Sequence, residues 1–379
     1  MSCFEENTLF EFVRHGLDNV ARRAVVDHAD ACDSCRQLIA AAIELGSSAP
    51  PPVRDAPRAD GGMLAGKYRL VRLLGAGGMG AVHEAINTWT GRRVAVKVLH
   101  EAFAGDPLAV RRFTVEAQSA GRIAHPNVVE ILDLGEDPET GARFLVQELL
   151  TGATLRRRLL EVGRLDAQHA ARLLAPAVAG LAEAHRAGVV HRDLKPENIF
   201  LTGIPGGEVA KLIDFGLSKL VREPDDPEWT PALAITEHGR QLGTPFYMSP
   251  EQLRGQTDID ERSDVWSVGV VLFEAVAGAR PFAGPRYHDL VLQILRDPLP
   301  RLVDAAPGVP AGFSELVGHA LQRDRALRPS ARELRDALAE LRRRPEAMRL
   351  PAGSSYRGSA RSQADRTTAC SCCPARSTR

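Results

Sequence analysis

Gly75-Ala76-Gly77-Gly78-Met79-Gly80-Ala-Val82-His-Glu-Ala85 is the stretch on which the reading of the fold turns. Its first six residues fit G-x-G-x-x-G, a spacing that dinucleotide folds, phosphate-covering flaps and plain turns all produce. A dinucleotide site needs a helix directly after the glycines, and a Walker loop needs Gly-Lys-Ser/Thr. Neither follows. Ala81 to Ala85 continues as a strand, and Val94-Ala95-Val-Lys97 comes next as another. The loop therefore reads as a flap between two antiparallel strands. Glycines there let the backbone lie close over phosphate oxygens with N–H groups turned toward them.

Outward from the loop, residues 67–342 are densely patterned. Strand-like runs come first: Tyr68 to Leu74, Arg93 to Leu99 and Ala142 to Gln147. Helical spacing then dominates, as in Asp166 to Ala187, with Leu174, Val178, Leu181 and His185 along one side. This ordering predicts an α+β fold, β-rich first and helical afterwards. Residues 47–66 are rich in Pro, Gly and small residues and read as a linker. Residues 1–46, with Leu9, Phe10, Phe12, Val13, Leu38, Ile39 and Ile43 at helical spacing, read as a small all-α unit. Residues 343–379 lack periodicity and read as a disordered basic tail.

Charge sharpens these boundaries. The 48 basic and 48 acidic residues cancel over the 379-residue chain, but not locally. Residues 1–60 hold 6 basic and 10 acidic residues, whereas 343–379 hold 8 and 2. An acidic front unit argues against nucleic acid as its partner. The most apolar run, Val268 to Ala279, is broken by Glu274 and is shorter than the roughly 20 residues a spanning helix needs. Acids near the N-terminus are the wrong composition for a secretion signal, so no integral membrane segment and a cytoplasmic location are expected. Five lysines are present, Lys67, Lys97, Lys195, Lys211 and Lys219, against 43 arginines. Lysine is a compact point charge where arginine is a fork, so each lysine invites a specific explanation.

Further motifs follow the glycine loop in order: Val94-Ala-Val-Lys97, Glu116, His125-Pro-Asn127, His191-Arg-Asp-Leu-Lys-Pro-Glu-Asn198, Asp214-Phe-Gly216, Gly243-Thr-Pro-Phe-Tyr-Met-Ser-Pro-Glu251, Asp264-Val-Trp-Ser-Val-Gly269 and Arg328-Pro-Ser330. On these motifs, residues 67–342 resemble the eukaryotic-type Ser/Thr protein kinases, in particular the bacterial members. The resemblance implies a two-lobed protein kinase fold, ATP with Mg²⁺ or Mn²⁺ as cofactors, and protein substrates bearing Ser or Thr. It implies that Gly75, Ala76, Gly77, Gly78, Met79, Gly80, Val82, Ala95, Glu148 and Leu150 line the nucleotide site, with Gln147 at its back. Lys97 would reach the α and β phosphates and pair with Glu116. Asp193 would accept the substrate hydroxyl proton, Lys195 would neutralise charge on the transferred group, and Asn198 and Asp214 would hold the metal. The run Ile199-Phe-Leu, the turn Gly203 to Gly207 and Val209 to Ile213 read as a hairpin that brings Asp214 back beside Asn198.

Asp214 to Glu251 would be the activation segment. Arg192 would pair with a phosphate on Thr236, with Thr230 as the nearby rival, and Thr244 would bond around Asp193 and Lys195. Ser249 stands where Ala is commoner, leaving Glu251 free to pair with Arg328. A scaffold that only binds partners is the rival reading, but it has no need of a phosphate lysine, a base and two metal ligands together.

His28-Ala-Asp-Ala-Cys32-Asp-Ser-Cys35 reads His-x3-Cys-x2-Cys. Positions 28 and 32 share a helix face and a turn can return Cys35, giving three convergent ligands. Cys3 is the fourth candidate and His15 the fallback; two thiols with an incidental histidine are the alternative. The unit resembles the zinc-binding fold of anti-sigma factors, which implies Zn²⁺ and a protein partner for this module. Cys370, Cys372 and Cys373 read as incidental exposed thiols.

Overall fold

Alternating large apolar residues place Arg93–Leu99 at the centre of a sheet. In the computed structural model, which describes Val25, His28 and residues 62–76, 80–205, 207–215, 245–284 and 287–343, that run is β4. The sheet contains β1 (Met63–Leu64), β2 (Tyr68–Ala76), β3 (Gly80–Asn87), β4, β5 (Ile131–Glu136) and β6 (Arg143–Glu148), antiparallel in the order β1-β2-β3-β4-β6-β5. Val94, Val96 and Val98 pack with Leu64, Tyr68, Leu70, Phe144 and Val146 on one face. Leu99 and Leu145 meet Phe113 and Ala117 of α1 (Pro107–Ala120). Asp133 on β5 accepts from Lys67 Nζ at 2.7 Å and from the Tyr68 hydroxyl at 2.6 Å, tying β5 to the start of β2.

One boundary moves. Composition puts Met63 and Leu64 in the 47–66 linker, yet they pair with Arg69 and Tyr68, and Leu64 is buried. Two residues are too short a run for alternation to register; the burial of one leucine against the sheet recruits them.

The second lobe is helical. It contains α2 (Leu155–Val162), α3 (Ala167–Arg186), α4 (Arg262–Ala277), α5 (Tyr287–Arg296), α6 (Ala311–Ala320) and α7 (Ala331–Arg343). Helix α3 occupies nearly the span its spacing predicts: Asp166 caps it by accepting from His169 N–H at 2.8 Å, and Leu174, Val178 and Leu181 are buried. Nearly every residue of α4 is buried, the mark of a core helix with other elements all round it. At about 1.5–3 kcal/mol per fully buried large apolar side chain, the cluster around Val265, Trp266, Leu272 and Phe273 makes α4 the pillar of this lobe. A small sheet of the helical lobe, with β7 (Gly152–Thr154) just before α2 and β8 (Ile199–Ile204) and β9 (Gly207–Leu212) between α3 and α4 in chain order, carries the expected hairpin. No helix among the described residues is long and apolar enough to cross a membrane.

Candidate active site

The glycine loop begins later than its motif suggests. Gly75 and Ala76 remain in β2, opposite Val82 and Ala81, after two bulges that increase the strand's twist. Gly80 opens β3 against β4, where a Cβ would lie 2.3 Å from the Val98 carbonyl oxygen. Only glycine permits that approach. Gly77, Gly78 and Met79 lie outside the described residues.

Beneath the loop, Val82 pairs with Lys97, and Ala95 pairs with Gln147 on β6. Ala95 is buried and Val82 half-buried, which makes an apolar wall beside the end of β6, where Glu148 and, two residues on, Leu150 lead out of the sheet. Lys97 Nζ donates to Asp214 Oδ1 at 3.0 Å. The Lys97 ammonium holds the Asp214 carboxyl below the usual carboxylate range, outweighing burial. Glu116 lies on α1, and its side chain is outside the described residues.

Asp193, Lys195 and Asn198 form one hydrogen-bonded loop. Lys195 Nζ donates to Asp193 Oδ2 at 2.8 Å, and Asn198 Nδ2 donates to the Asp193 carbonyl at 2.8 Å and to its Oδ2 at 3.3 Å. Because the amide nitrogen of Asn198 is committed to Asp193, its oxygen is the atom left for a ligand. The hairpin does what its sequence predicts: Ile213 N–H donates to the Asn198 carbonyl at 3.0 Å, which sets Asp214 beside the loop. Arg192 and Asp214 both adopt left-handed backbone, with φ of 63° and 51°. Such conformations in non-glycine residues cost free energy and persist only where surrounding bonds hold them.

At Arg192 the holding bonds come from Asp264, whose role the motif alone did not disclose. Its Oδ2 accepts from His191 N–H and its Oδ1 from Arg192 N–H, both at 2.7 Å, while His185 Nε2 lies 2.8 Å from Oδ2. Burial pushes this carboxyl up, but His185 and the backbone donors outweigh it and hold it below the ordinary range. A carboxylate in the first turn of an almost wholly buried helix is the signal that could have marked it, since burial is tolerated only with such partners.

Glu251 and Arg328 meet as expected, in a forked pair at 2.5 and 2.7 Å. Ser249 has its own use: it caps a single helical turn through a reciprocal bond with Gln252, and Gln252 Nε2 donates to the Arg192 carbonyl at 2.9 Å. Glu274, the acid that interrupts the apolar run, accepts from Arg156 at 2.9 Å and from the Tyr247 hydroxyl at 2.6 Å. Thr230, Thr236 and Thr244 lie outside the described residues, as do Cys3, His15, Cys32, Cys35 and the three tail cysteines. His28 is described as half-buried and helical.

A protein kinase domain model matches residues 68–337. The chain belongs to the protein kinase domain family. It is 41% identical over 288 residues to the serine/threonine-protein kinase PknA of Mycobacterium tuberculosis, covering 74% of this chain and 63% of that protein. It is 41% identical over 281 residues to pkn2 of Myxococcus xanthus, covering 73% of this chain and 32% of that protein, and 39% identical over 264 residues to PknL of M. tuberculosis, covering 70% and 62%. These relatives are bacterial proteins named as serine/threonine-protein kinases, and this chain spans less than two thirds of their length. The kinase domain of M. tuberculosis PknI superposes with a TM-score of 0.57 at 27% identity, covering 74% of this chain and 98% of that one. The fold is thus two-lobed, with a β-sheet lobe followed by a helical lobe, as its motifs imply.

Proposed function

We propose that the chain is an active protein kinase that transfers the ATP γ-phosphoryl group to Ser or Thr hydroxyls, its own among them. The observation that carries this reading is the convergence of Lys97 and Asp214 from one side with Asp193, Lys195 and Asn198 from the other, in a single connected set of bonds. Oxygen donors from Asn198 and Asp214 suit a hard divalent cation, and Lys97 supplies a fixed positive charge beside them. Bound Mg²⁺-ATP supplies the transferable phosphoryl group. Asp193 accepts the hydrogen of the attacking hydroxyl and orients its oxygen; Lys195, already against Asp193, stabilises charge growing on the transferred oxygens. Catalysis on this reading is positioning and charge neutralisation, with no covalent intermediate on the protein. Gly75 to Gly80 cover the phosphates, with Val82, Ala95, Glu148 and Leu150 around the adenine.

Arg192 supports control by phosphorylation. Its Nη2 donates to the Ile259 carbonyl at 3.3 Å, while its Nε is shielded from solvent and finds no hydrogen-bond partner among the described residues. Burial pushes this guanidinium below its ordinary value, against the attraction of Asp264. A phosphothreonine gives such a group strong acceptors. Incubation with ATP and Mg²⁺, followed by peptide mass spectrometry, is expected to find phosphate on Thr236 and none on tyrosine. Activity that develops fully with Thr236 unmodified removes Thr236 from the account; no phosphate on the chain or on any added Ser/Thr protein removes the kinase reading and leaves the scaffold.

The domain plan we propose keeps a zinc-binding helical unit at 1–46, a linker ending before Met63, the kinase domain and a basic tail. Its support for zinc is the His28, Cys32, Cys35 spacing with Cys3 as fourth ligand, and the helical placement of His28. The full chain, freshly reduced, is expected to carry one zinc ion that Cys32→Ser releases. A metal content equal in the two proteins overturns the site. A protein partner for this unit and a cytoplasmic location belong to the same proposal.

A further inference from the structure

Lys211 is a structured lysine in a lysine-poor chain, and phosphate chemistry does not account for it. It lies on β9 opposite Phe200, three residues before Asp214. Its Nζ donates to Glu148 Oε1 at 2.5 Å, and both side chains are largely buried, 16% and 21% exposed. The same Oε1 accepts from the Glu130 N–H at 3.0 Å, and the Glu148 N–H donates back to the Glu130 carbonyl at 3.0 Å. Glu148 is therefore held by three bonds, one to Lys211 and two to Glu130, at the point where β6 ends and the chain leaves the sheet.

Strand β9 does not need this bond to stay in place. It pairs along its length with β8, Leu212 exchanges backbone bonds with Asn127 and Val129 at 2.8 and 2.9 Å, and Asn127 Nδ2 donates to the Ala210 carbonyl at 2.9 Å. What the lysine adds is a charge-assisted tie from the helical lobe's sheet to one residue, Glu148, 63 positions away. Asp214 lies two residues beyond the end of the same strand, with Ile213 between them bonded to the Asn198 carbonyl, so one short segment spaces the metal carboxylate from the residue proposed to sit at the adenine.

We infer that Lys211 is a positioning residue for the adenine end of the nucleotide, acting through Glu148; the inference rests on the ATP-binding reading above. Preorganisation of this kind sets affinity, because a loosened Glu148 segment must be ordered again on binding. The test uses the full chain and isothermal titration with adenosine, with ATP, and with Mg²⁺-tripolyphosphate as a probe of the phosphate end. Lys211→Met is expected to weaken adenosine and ATP by about tenfold, the scale of one hydrogen bond to a charged group, and to leave tripolyphosphate within about twofold. Lys211→Arg, which keeps the charge and the reach, is expected to recover most of the loss. Adenosine affinity equal to the unaltered protein's, or equal losses for adenosine and tripolyphosphate, overturns the inference, the latter because it marks a general loosening. If Lys211→Met does not fold, Lys211→Gln, which keeps a hydrogen-bond donor but loses the charge and part of the reach, takes its place, and the same split between the two probes is expected of it. An unaltered chain that binds neither ATP nor adenosine strikes the ATP reading itself, a result distinct from any of these.

Discussion

Asp193→Asn is expected to lower kcat for phosphoryl transfer by about a thousandfold, within the range general-base removal produces, while ATP binds nearly as before. The substitution keeps the shape of the side chain. Its remaining amide oxygen can still accept from Lys195 and Asn198, which now donate to Asp193 Oδ2 at 2.8 and 3.3 Å. The loop backbone is held separately, by Asp264 on the His191 and Arg192 N–H groups. Only the capacity to take the hydroxyl proton is lost, so the loss belongs in kcat and not in nucleotide affinity. Initial rates at saturating ATP, with nucleotide affinity measured on the same preparation, check both halves. A rate within tenfold of the unaltered chain would reduce Asp193 to a turn residue and leave the proposed mechanism without a base.

The parts of this site that could be read from sequence are those whose partners are near in sequence or periodic. Strand Arg93–Leu99 is bounded where its alternation begins and ends, and α3 is bounded by a capping Asp166 that any first-turn reading finds. The hairpin from Ile199 to Leu212 is legible from its glycine turn, and it alone accounts for Asp214 returning to Asn198. Contacts between residues 60 or more apart leave no such local trace; Glu251 with Arg328, 77 apart, is expected through the family resemblance alone. Asp264 reaches back 72 and 73 residues to two backbone N–H groups, and Lys211 reaches 63 to Glu148. Backbone donors carry no side-chain identity at all, so nothing in a sequence names them. Glu274 shows the intermediate case: an acid inside an apolar run announces a buried partner, but only the fold supplies Arg156 and Tyr247. The glycine motif overlaps the end of β2 for a related reason, because G-x-G-x-x-G records where close approach is allowed and not where pairing stops.

Arg328→Met is expected to destabilise the helical lobe by about 3–5 kcal/mol at neutral pH, the cost of stranding one member of a buried ion pair. Arg328 is almost wholly buried and its guanidinium serves more than Glu251: Nε donates to the Gln322 carbonyl at 2.6 Å and Nη1 to the Arg262 carbonyl at 2.9 Å. The ring of Trp266 lies beneath it at 5.3 Å, so the new methionine keeps an apolar contact but satisfies no carbonyl. The pH dependence separates the charge effect from the packing effect. In the unaltered chain burial pushes the Glu251 carboxyl up, and Arg328 with Ser263 outweighs it, leaving the group below its ordinary value. A carboxyl lowered in the folded state contributes stability above its unfolded pKa, and that contribution disappears as pH falls through the folded value. Without Arg328 the sign reverses, because burial then acts alone and raises the carboxyl; its penalty is largest at neutral pH and shrinks as the medium is acidified toward the ordinary glutamate range. Urea unfolding of the two proteins across that interval should therefore show the gap between them narrowing as pH falls. A gap independent of pH would mean that the lost carbonyl bonds and packing, and not the unpaired Glu251 charge, carry the cost. Glu251→Gln added to Arg328→Met should then recover part of the loss at neutral pH only if the charge is responsible, since it removes the stranded carboxylate and leaves the orphaned carbonyls as they were.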